Sequence, residues 1–396
     1  MTSVARWVEV HRLAVAGRER VIARTVGALV AGPWLATSRY ADVAALTQVT
    51  LTLGPDAAAL HHLGWALSAT GQPRQALTSY EQSLAIRRES GDRAGEAATL
   101  SNMGNVYQRL GDWQQALTYY GRALPITREV GDRAGEAATL NNIGSAYDRL
   151  GDRQRALAYL QQALPIRREV GDRAGEAATL GNIGHAYDEL GDRRQALTYH
   201  WQSLAIRREV GDRAGEAITL NNIGSAYARL GDPEQALTYF EQALPIRREV
   251  GDRAGEATTL GNIGSVYSEL GDRQQALAHY ERALPIAREA GNRPGEASIL
   301  TSLGSLYNAL GDRQRALTHL QQALPVRREI GDRAGEAVTR YNLAMIYRAG
   351  GDLDRAIGEL ELVVAFDRQV GHPDLASDTA ILERVRRERA QSGDGP

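Results

Sequence analysis

The 396-residue sequence predicts an all-α solenoid, and three observations lead to that prediction. From Gly91 to Gly371 the chain repeats with a period of forty residues, which is typical of stacked helical units. Each period contains two segments whose apolar residues recur with helical spacing. Glycine followed by aspartate bounds these segments, a combination that ends one helix and begins the next.

The repetition is almost literal in the middle of the chain. The segment "GDRAGEAATL" begins at residues 91, 131 and 171, and close variants begin at 211, 251, 291 and 331. The segment "TLNNIGSAY" occurs at residues 139–147 and again at residues 219–227. Such a fixed period indicates one structural unit that stacks on copies of itself.

Each unit reads as a pair of helices. In the first helix, Leu140, Ile143, Tyr147 and Leu150 fall on one face at helical spacing. Gly151 then predicts a left-handed C-terminal cap, and the aspartate after it predicts the N-cap of a second helix that ends near residue 170.

Small residues occupy fixed positions in these pairs, with Gly144 in the first helix and Ala156 and Ala163 in the second. Together with the apolar residues they form a pattern, L-x-x-I-G-x-x-Y over residues 140–147, that resembles the tetratricopeptide repeat. The period is longer than the usual ~34 residues, and the closing proline is missing. This longer form is similar to Pins-type scaffolds, kinesin light chains and the C-terminal arrays of actinobacterial NB-ARC regulators.

The resemblance implies a right-handed solenoid of stacked helix-turn-helix units whose first helices line a concave surface. We expect a helical N-terminal cap or degenerate repeat at 1–53 and eight repeat units at 54–370. A C-terminal cap helix at 371–390 and a disordered tail at 391–396 complete the predicted organisation.

Composition excludes several classes of function. The net charge of −2 argues against a nucleic-acid binder, which needs a basic face. The chain has no cysteine, and all 46 basic residues are arginine, so thiol nucleophiles, Cys-containing zinc sites and catalytic lysines are excluded. The apolar run Val21–Ala36 is broken by Arg24 and Pro33 and is too short to span a membrane. We therefore expect a cytoplasmic protein that is not an enzyme and needs no cofactor or metal. The abundance of Arg, Ala and Gly is typical of a GC-rich genome and, with the actinobacterial resemblance, predicts a bacterial source.

Asparagine recurs at one register of the first helix, about 130° from the centre of the apolar stripe. This asparagine column comprises Asn102, Asn142, Asn182, Asn222, Asn262 and Asn342, with Ser302 in the remaining unit. The predicted ligand-binding set adds neighbours on the same helices: Asn105, Ser145, Arg149, His185 and Arg229. By resemblance to tetratricopeptide proteins, these residues face the concave groove.

Two interpretations of the asparagine column remain open. A side-chain amide both donates and accepts hydrogen bonds, so a column of them can hold an extended peptide backbone. Six such bonds would contribute roughly 3–9 kcal/mol before ordering costs. Alternatively, each asparagine ties its helix to a loop of the neighbouring unit.

Other polar residues suggest no chemistry. His61 and His62 read as a surface pair, since no metal-ligand spacing or acidic partner accompanies them. The recurring Arg168, Arg173 and Glu176 read as exposed ion pairs between units, worth about 0–1 kcal/mol each.

The sequence thus predicts a scaffold that binds an extended peptide segment of a protein partner, with no nucleic acid or membrane involved. The alternative is a regulatory sensor array that acts with a nucleotide-switching NB-ARC type ATPase, or a peptide-signal receptor. Nothing in the sequence specifies the oligomeric state.

Overall fold

A computed structural model describes residues 4–393, which form twenty helices and no strand. The chain divides into two compact units, Met1–Ile206 and Arg207–Pro396, and the boundary falls inside helix α11. Consecutive helices pack against each other from α1 to α10 and from α12 to α20. The predicted all-α solenoid is confirmed in each unit.

The first unit contains three off-period helices and then the repeat pairs. Its helices are α1 Val4–Ala16, α2 Arg20–Ala36, α3 Tyr40–Leu51, α4 Ala57–Ala69, α5 Pro73–Ser90, α6 Arg93–Arg109, α7 Trp113–Glu129, α8 Arg133–Arg149, α9 Arg153–Glu169, α10 Arg173–Glu189 and α11 Arg193–Glu209. Residues 1–53 are therefore helical where the structure describes them, and their assignment as a cap or a degenerate repeat stays a prediction.

The second unit continues the alternation of first and second helices to residue 370. Its helices are α12 Arg213–Leu230, α13 Pro233–Glu249, α14 Arg253–Glu269, α15 Arg273–Glu289, α16 Arg293–Ala309, α17 Arg313–Glu329, α18 Arg333–Ala349, α19 Leu353–Val370 and α20 Leu375–Gly393. The last helix extends three residues into the predicted disordered tail, and residues 394–396 lie outside the described part.

Both kinds of turn use the same local chemistry. Gly151, between α8 and α9, has a φ of 87°, in the left-handed region that glycine adopts without strain. The side chain of Asp152 then accepts a hydrogen bond from the backbone N–H of Arg155 at 3.1 Å, which caps α9. Gly171 and Asp172 repeat the arrangement before α10.

The two helices of a repeat approach closely because the first carries a glycine. A Cβ on Gly144 would lie 2.6 Å from Cγ of Leu160 and 3.1 Å from the carbonyl oxygen of Ala156. No real side chain fits in that space, so Gly144 is required by packing. Leu140 and Ile143 are buried as predicted, whereas Leu150 is 46% exposed at the end of α8 and does not belong to the apolar face.

The turns from a second helix to the next first helix contain a buried carboxylate. The carboxylate of Glu176 receives hydrogen bonds from Arg168 at 2.7 Å and from Arg173 at 2.5 Å. Its side chain is 5% exposed, while both arginines remain about half exposed. The prediction of exposed ion pairs is therefore wrong for the glutamate, which lies at the repeat interface. The two arginine partners satisfy its charge there.

The opposite edge of a repeat, where the first helix turns into the second, contains stacked rings in six of the repeats. Tyr147 and Tyr159 lie with ring centroids 5.5 Å apart and planes 12° from parallel. Comparable pairs are Tyr107–Tyr119, Tyr187–Tyr199, Tyr227–Tyr239, Tyr267–His279 and Tyr307–His319. The two edges of a repeat are thus stabilised by different interactions.

Candidate functional site

The first helices of successive repeats lie on the inner side of each stack. Within the first unit α4, α6, α8 and α10 contact one another in turn, and within the second unit α12, α14, α16 and α18 do the same. In the described residues the second helices make no comparable contacts with each other. The asparagine column therefore lies where neighbouring first helices meet.

The asparagine column joins successive first helices. In the first unit, Nδ2 of Asn142 donates to Oδ1 of Asn105 at 3.1 Å. Nδ2 of Asn182 donates to Oδ1 of Asn141 at 3.1 Å and to the hydroxyl of Ser145 at 3.3 Å. These bonds end on side chains of the preceding first helix, so the expected partner, a neighbouring loop, is wrong.

Two further asparagines of the column also donate to side chains of the preceding first helix. Nδ2 of Asn262 donates to Oδ1 of Asn221 at 3.2 Å, and Nδ2 of Asn342 donates to the hydroxyl of Ser305 at 3.4 Å. At the N-terminal end of the column, Asn102 pairs with Nε2 of His61 at 3.0 Å. Asn222 is half-buried, like the rest of the column.

In each of these bonds the amide donates through its Nδ2 group, so its carbonyl oxygen takes no part in the bond. Oδ1 of Asn142, Asn182 and Asn262 accepts no hydrogen bond from the residues that the structure describes. Asn105 differs, because its Oδ1 already accepts from the hydroxyl of Tyr120 at 2.7 Å and from Asn142. The structural bond thus fixes the amide orientation while three acceptors stay available for a ligand.

Four residues of the predicted set line one pocket of about 230 Å³ in the first unit. They are Ser145, Arg149, Asn182 and His185. The remaining walls come from Gln108, Trp113, Asp148 and Leu160. Since α6, α8 and α10 lie side by side, residues forty positions apart in the sequence converge here. Arg229 lies in the second unit and is exposed.

An imidazole and a carboxylate face each other in this pocket. Nε2 of His185 lies 3.4 Å from Oδ2 of Asp148, whose side chain is 14% exposed. The hydrogen bond that His185 donates to Asp148 raises the pKa of His185 and outweighs the opposing effect of burial. Burial raises the pKa of Asp148, but the bond from His185 and the nearby arginines outweigh it, so that pKa lies below its ordinary value. The pair is therefore held in a defined orientation, with the imidazole still half-exposed.

An aromatic platform completes the pocket. The guanidinium of Arg149 lies 5.8 Å from the centroid of the Trp113 ring, within the range of a cation–π contact. Sequence reasoning missed Trp113 and Asp148. The signal for Trp113 was its departure from the repeat, because its register holds arginine at Arg153, Arg193, Arg273 and Arg313. Asp148 gave no such signal, because Asp188 occupies the same register.

A second depression lies in the second unit beside Asn262 and measures about 310 Å³. Gly261 opens it, because the equivalent position in α8 holds Asn141. Its walls include Ser265, Tyr280 and Asn292, and none of its lining residues is charged. The two depressions thus offer different chemistry at similar registers.

The histidine pair near the start of the array is not a surface pair. His61 is 8% exposed, and its Nδ1 lies 3.2 Å from the hydroxyl of Thr99. Burial, with the charges of Arg87 and His62, lowers its pKa to about 3, so it is neutral at physiological pH. His61 is a satisfied core residue that anchors Asn102.

Among the described residues, none of the helices has the length and apolar content needed to cross a bilayer. The same residues hold no cluster of three or more histidine, aspartate or glutamate side chains arranged to bind a metal ion.

Two profiles of the tetratricopeptide repeat match the chain. One matches residues 95–169, 215–289 and 295–369, and the other matches residues 57–90 and 177–210. Together the matches cover well over half of the sequence. No curated protein matches the sequence significantly.

Solved structures share the fold. A signal transduction ATPase with numerous domains and a tetratricopeptide repeat sensor, from Pyrococcus horikoshii, matches with a TM-score of 0.65 and 15% identity over 91% of this chain and 55% of that chain. The apo quorum sensor NprR of B. thuringiensis matches with a TM-score of 0.62 and 17% identity over 85% and 97%. A Rap protein complexed with competence and sporulation factor matches with a TM-score of 0.59 and 15% identity over 93% and 98%.

Proposed function

Because the chain belongs to the tetratricopeptide repeat family, we propose that it is a scaffold that binds an extended segment of a protein partner along its first helices. Repeats of this family generally act as non-catalytic protein-interaction scaffolds. The observation that carries the proposal is the pocket of Trp113, Asp148, Arg149 and His185, beside the oriented amide of Asn182. Trp113 departs there from the arginine that four other repeats carry at the same register.

The chemistry of the pocket suits a peptide. The free Oδ1 of Asn142 and Asn182 can accept backbone N–H groups of an extended chain, and each bond contributes a net ~0.5–1.5 kcal/mol. Trp113 offers an apolar surface, and Arg149 and His185 offer donors for a polar side chain. A few amide contacts and one such pocket are consistent with a micromolar ceiling on affinity.

The alternative, a sensor array working with a nucleotide-switching ATPase, has no separate observation in its favour. The likeness to the Pyrococcus ATPase is a likeness of fold, and a plain scaffold would produce it equally well. The same holds for the quorum sensor and for the Rap protein with its bound factor. The proposal therefore rests on the residues of this chain.

The repeat itself supplies a sharp test. The variant Trp113→Arg, Asp148→Ser, His185→Ser places at each position a residue that the array already uses at that register, namely Arg153, Ser268 and Ser145. We expect it to stay folded by circular dichroism. Peptides selected from a random displayed library on the native protein should bind it at least tenfold more weakly in fluorescence anisotropy.

The control variant, Ser225→Ala, changes the residue forty positions after His185, outside the pocket, and should retain full affinity. Equal binding of the selected peptides to both variants, or a library that yields no binder, would contradict the proposal. Alanine substitutions in the asparagine column are less suitable, since they also remove bonds between first helices.

A further inference from the structure

The turn after α19 reverses the charges found at five other turns of its kind. In five repeats an arginine near the end of the second helix contacts the aspartate that caps the next helix. Arg207 and Asp212, for example, are 2.6 Å apart. The corresponding residues forty positions after Arg327 and Asp332 are Asp367 and His372. A carboxylate therefore stands where five repeats place a guanidinium.

This carboxylate is buried with one of its oxygens unpaired. Asp367 is 3% exposed, and its Oδ2 has no hydrogen bond. Nδ1 of His372 lies 3.9 Å from its Oδ1, but that nitrogen accepts the backbone N–H of Asp374 at 3.3 Å. It cannot offer a proton to Asp367 at the same time. Within the described residues no arginine lies within ion-pair distance of Asp367, Asp374 or Asp378.

A cavity of about 430 Å³ adjoins Asp367, between α18, α19 and the beginning of α20. Asp374 and Asp378 form its acidic wall, and Val338, Tyr341 and Phe366 form its apolar wall. Burial and the neighbouring Asp367 carboxyl raise the pKa of Asp378. Two close carboxyl groups in one cavity create a local need for positive charge. They are not arranged to hold a metal ion.

We propose that this cavity binds an arginine side chain of a polypeptide partner, with its guanidinium on Asp367 and Asp378. The planar guanidinium presents several N–H groups in a fixed fork and can pair with two carboxylates at once. Its flat face and alkyl stem suit the walls formed by Phe366, Tyr341 and Val338. In five other repeats a guanidinium of the chain itself lies at this turn beside a carboxylate. The site is independent of the pocket around His185.

The test measures the binding of a probe, N-acetyl-arginine amide, to the full chain by isothermal titration calorimetry. N-acetyl-citrulline amide has nearly the same shape without the charge and should not bind detectably, whereas the arginine compound should bind with a millimolar Kd. This pair needs no variant, so it decides the question even if a substitution unfolds the protein. Equal binding of both compounds would overturn the proposal.

Variants then locate the site. Asp367→Asn and Asp378→Asn should each weaken binding at least tenfold, while Asp332→Asn, at the regular turn forty residues earlier, should not. Unchanged binding to Asp367→Asn would overturn the assignment. Tighter binding of free agmatine than of N-acetyl-arginine amide would overturn the polypeptide source, and equivalent heat from Ca²⁺ would overturn the choice of an organic cation.

Discussion

The two edges of each repeat differ although their turns are built alike. Both edges begin with a left-handed glycine and an N-cap, as at Gly151 and Gly171. One edge then buries a glutamate between two arginines, and the other stacks two partly exposed rings. The glutamate is unchanged from Glu96 to Glu336, whereas the rings vary between tyrosine and histidine. The repeats thus keep the buried charge unchanged, while the second ring of the stack is either tyrosine or histidine.

Acidification should produce the largest difference in stability between the two edges, because it protonates several buried carboxylates at once. Burial raises the pKa of Glu96, Glu256 and Glu336, but hydrogen bonds from their arginines outweigh it, so each folded-state pKa lies below the ordinary value. Such groups stabilise the fold above their unfolded-state pKa, and that stability disappears as pH falls through the folded-state pKa.

We therefore expect the melting temperature to stay level from pH 7 to about 5 and to fall steeply below about pH 4. Circular-dichroism melting across this range checks it. A melting temperature that stays constant down to pH 3 would show that the glutamate edge contributes no net stability.

The next largest effect should come from a single buried glutamate. Glu136→Gln removes the charge that pairs with Arg128 at 2.8 Å and with Arg133. We expect a loss of about 1–3 kcal/mol in the free energy of unfolding by urea, the range for hydrogen bonds to charged groups. The control is Glu169→Gln, which changes an exposed partner of the same Arg133 and should cost much less. Equal losses would mean that burial does not distinguish the two carboxylates.

A smaller effect is expected at the aromatic edge. Tyr147→Leu abolishes the stack on Tyr159 and the contact with the guanidinium of Arg155, so it should cost about 0.5–1.5 kcal/mol in urea unfolding. Tyr159→His imitates the pairs that use His279 and His319 and should be nearly neutral. If Tyr159→His is destabilising and Tyr147→Leu is not, ring stacking does not stabilise this edge.

The smallest effect should occur at the exposed leucine of the same turn. Leu150 is 46% exposed, and Leu150→Gln should change the unfolding free energy by no more than about 0.5 kcal/mol. Leu140→Gln, at a fully buried position of the same helix, serves as the contrast and should destabilise severely. If both changes are tolerated, α8 does not pack as described.

The fold could be predicted closely from the sequence because the period, the glycines and the caps all act locally. The second helix was expected from a cap at Asp152 to about residue 170, and it spans Arg153–Glu169. The convergence of Ser145, Asn182 and His185 also followed from register, since equivalent positions of stacked helices must be neighbours.

The remaining features depend on contacts between residues at different positions of neighbouring repeats. The repeat pattern of the sequence does not specify such contacts. The bond from Asn182 to Asn141 joins two different positions of adjacent first helices. Trp113 reaches the pocket from the start of a second helix, and Glu176 is buried only because arginines from two helices surround it. From the sequence pattern alone, a charged residue is predicted to be exposed, because the pattern does not show its ion-pair partners.

The shared turn chemistry has a consequence for how the gene can change. The ten residues that begin at 91, 131 and 171 are identical, and they include the glycine, the cap and the buried glutamate. Loss of residues 131–170 would join Val130 to Gly171 and recreate the junction that already exists at Gly131. Unequal recombination between such copies adds or removes a whole repeat and leaves every remaining turn with native neighbours. Relatives of this protein should accordingly differ in the number of their repeats far more readily than in the length of any one of them.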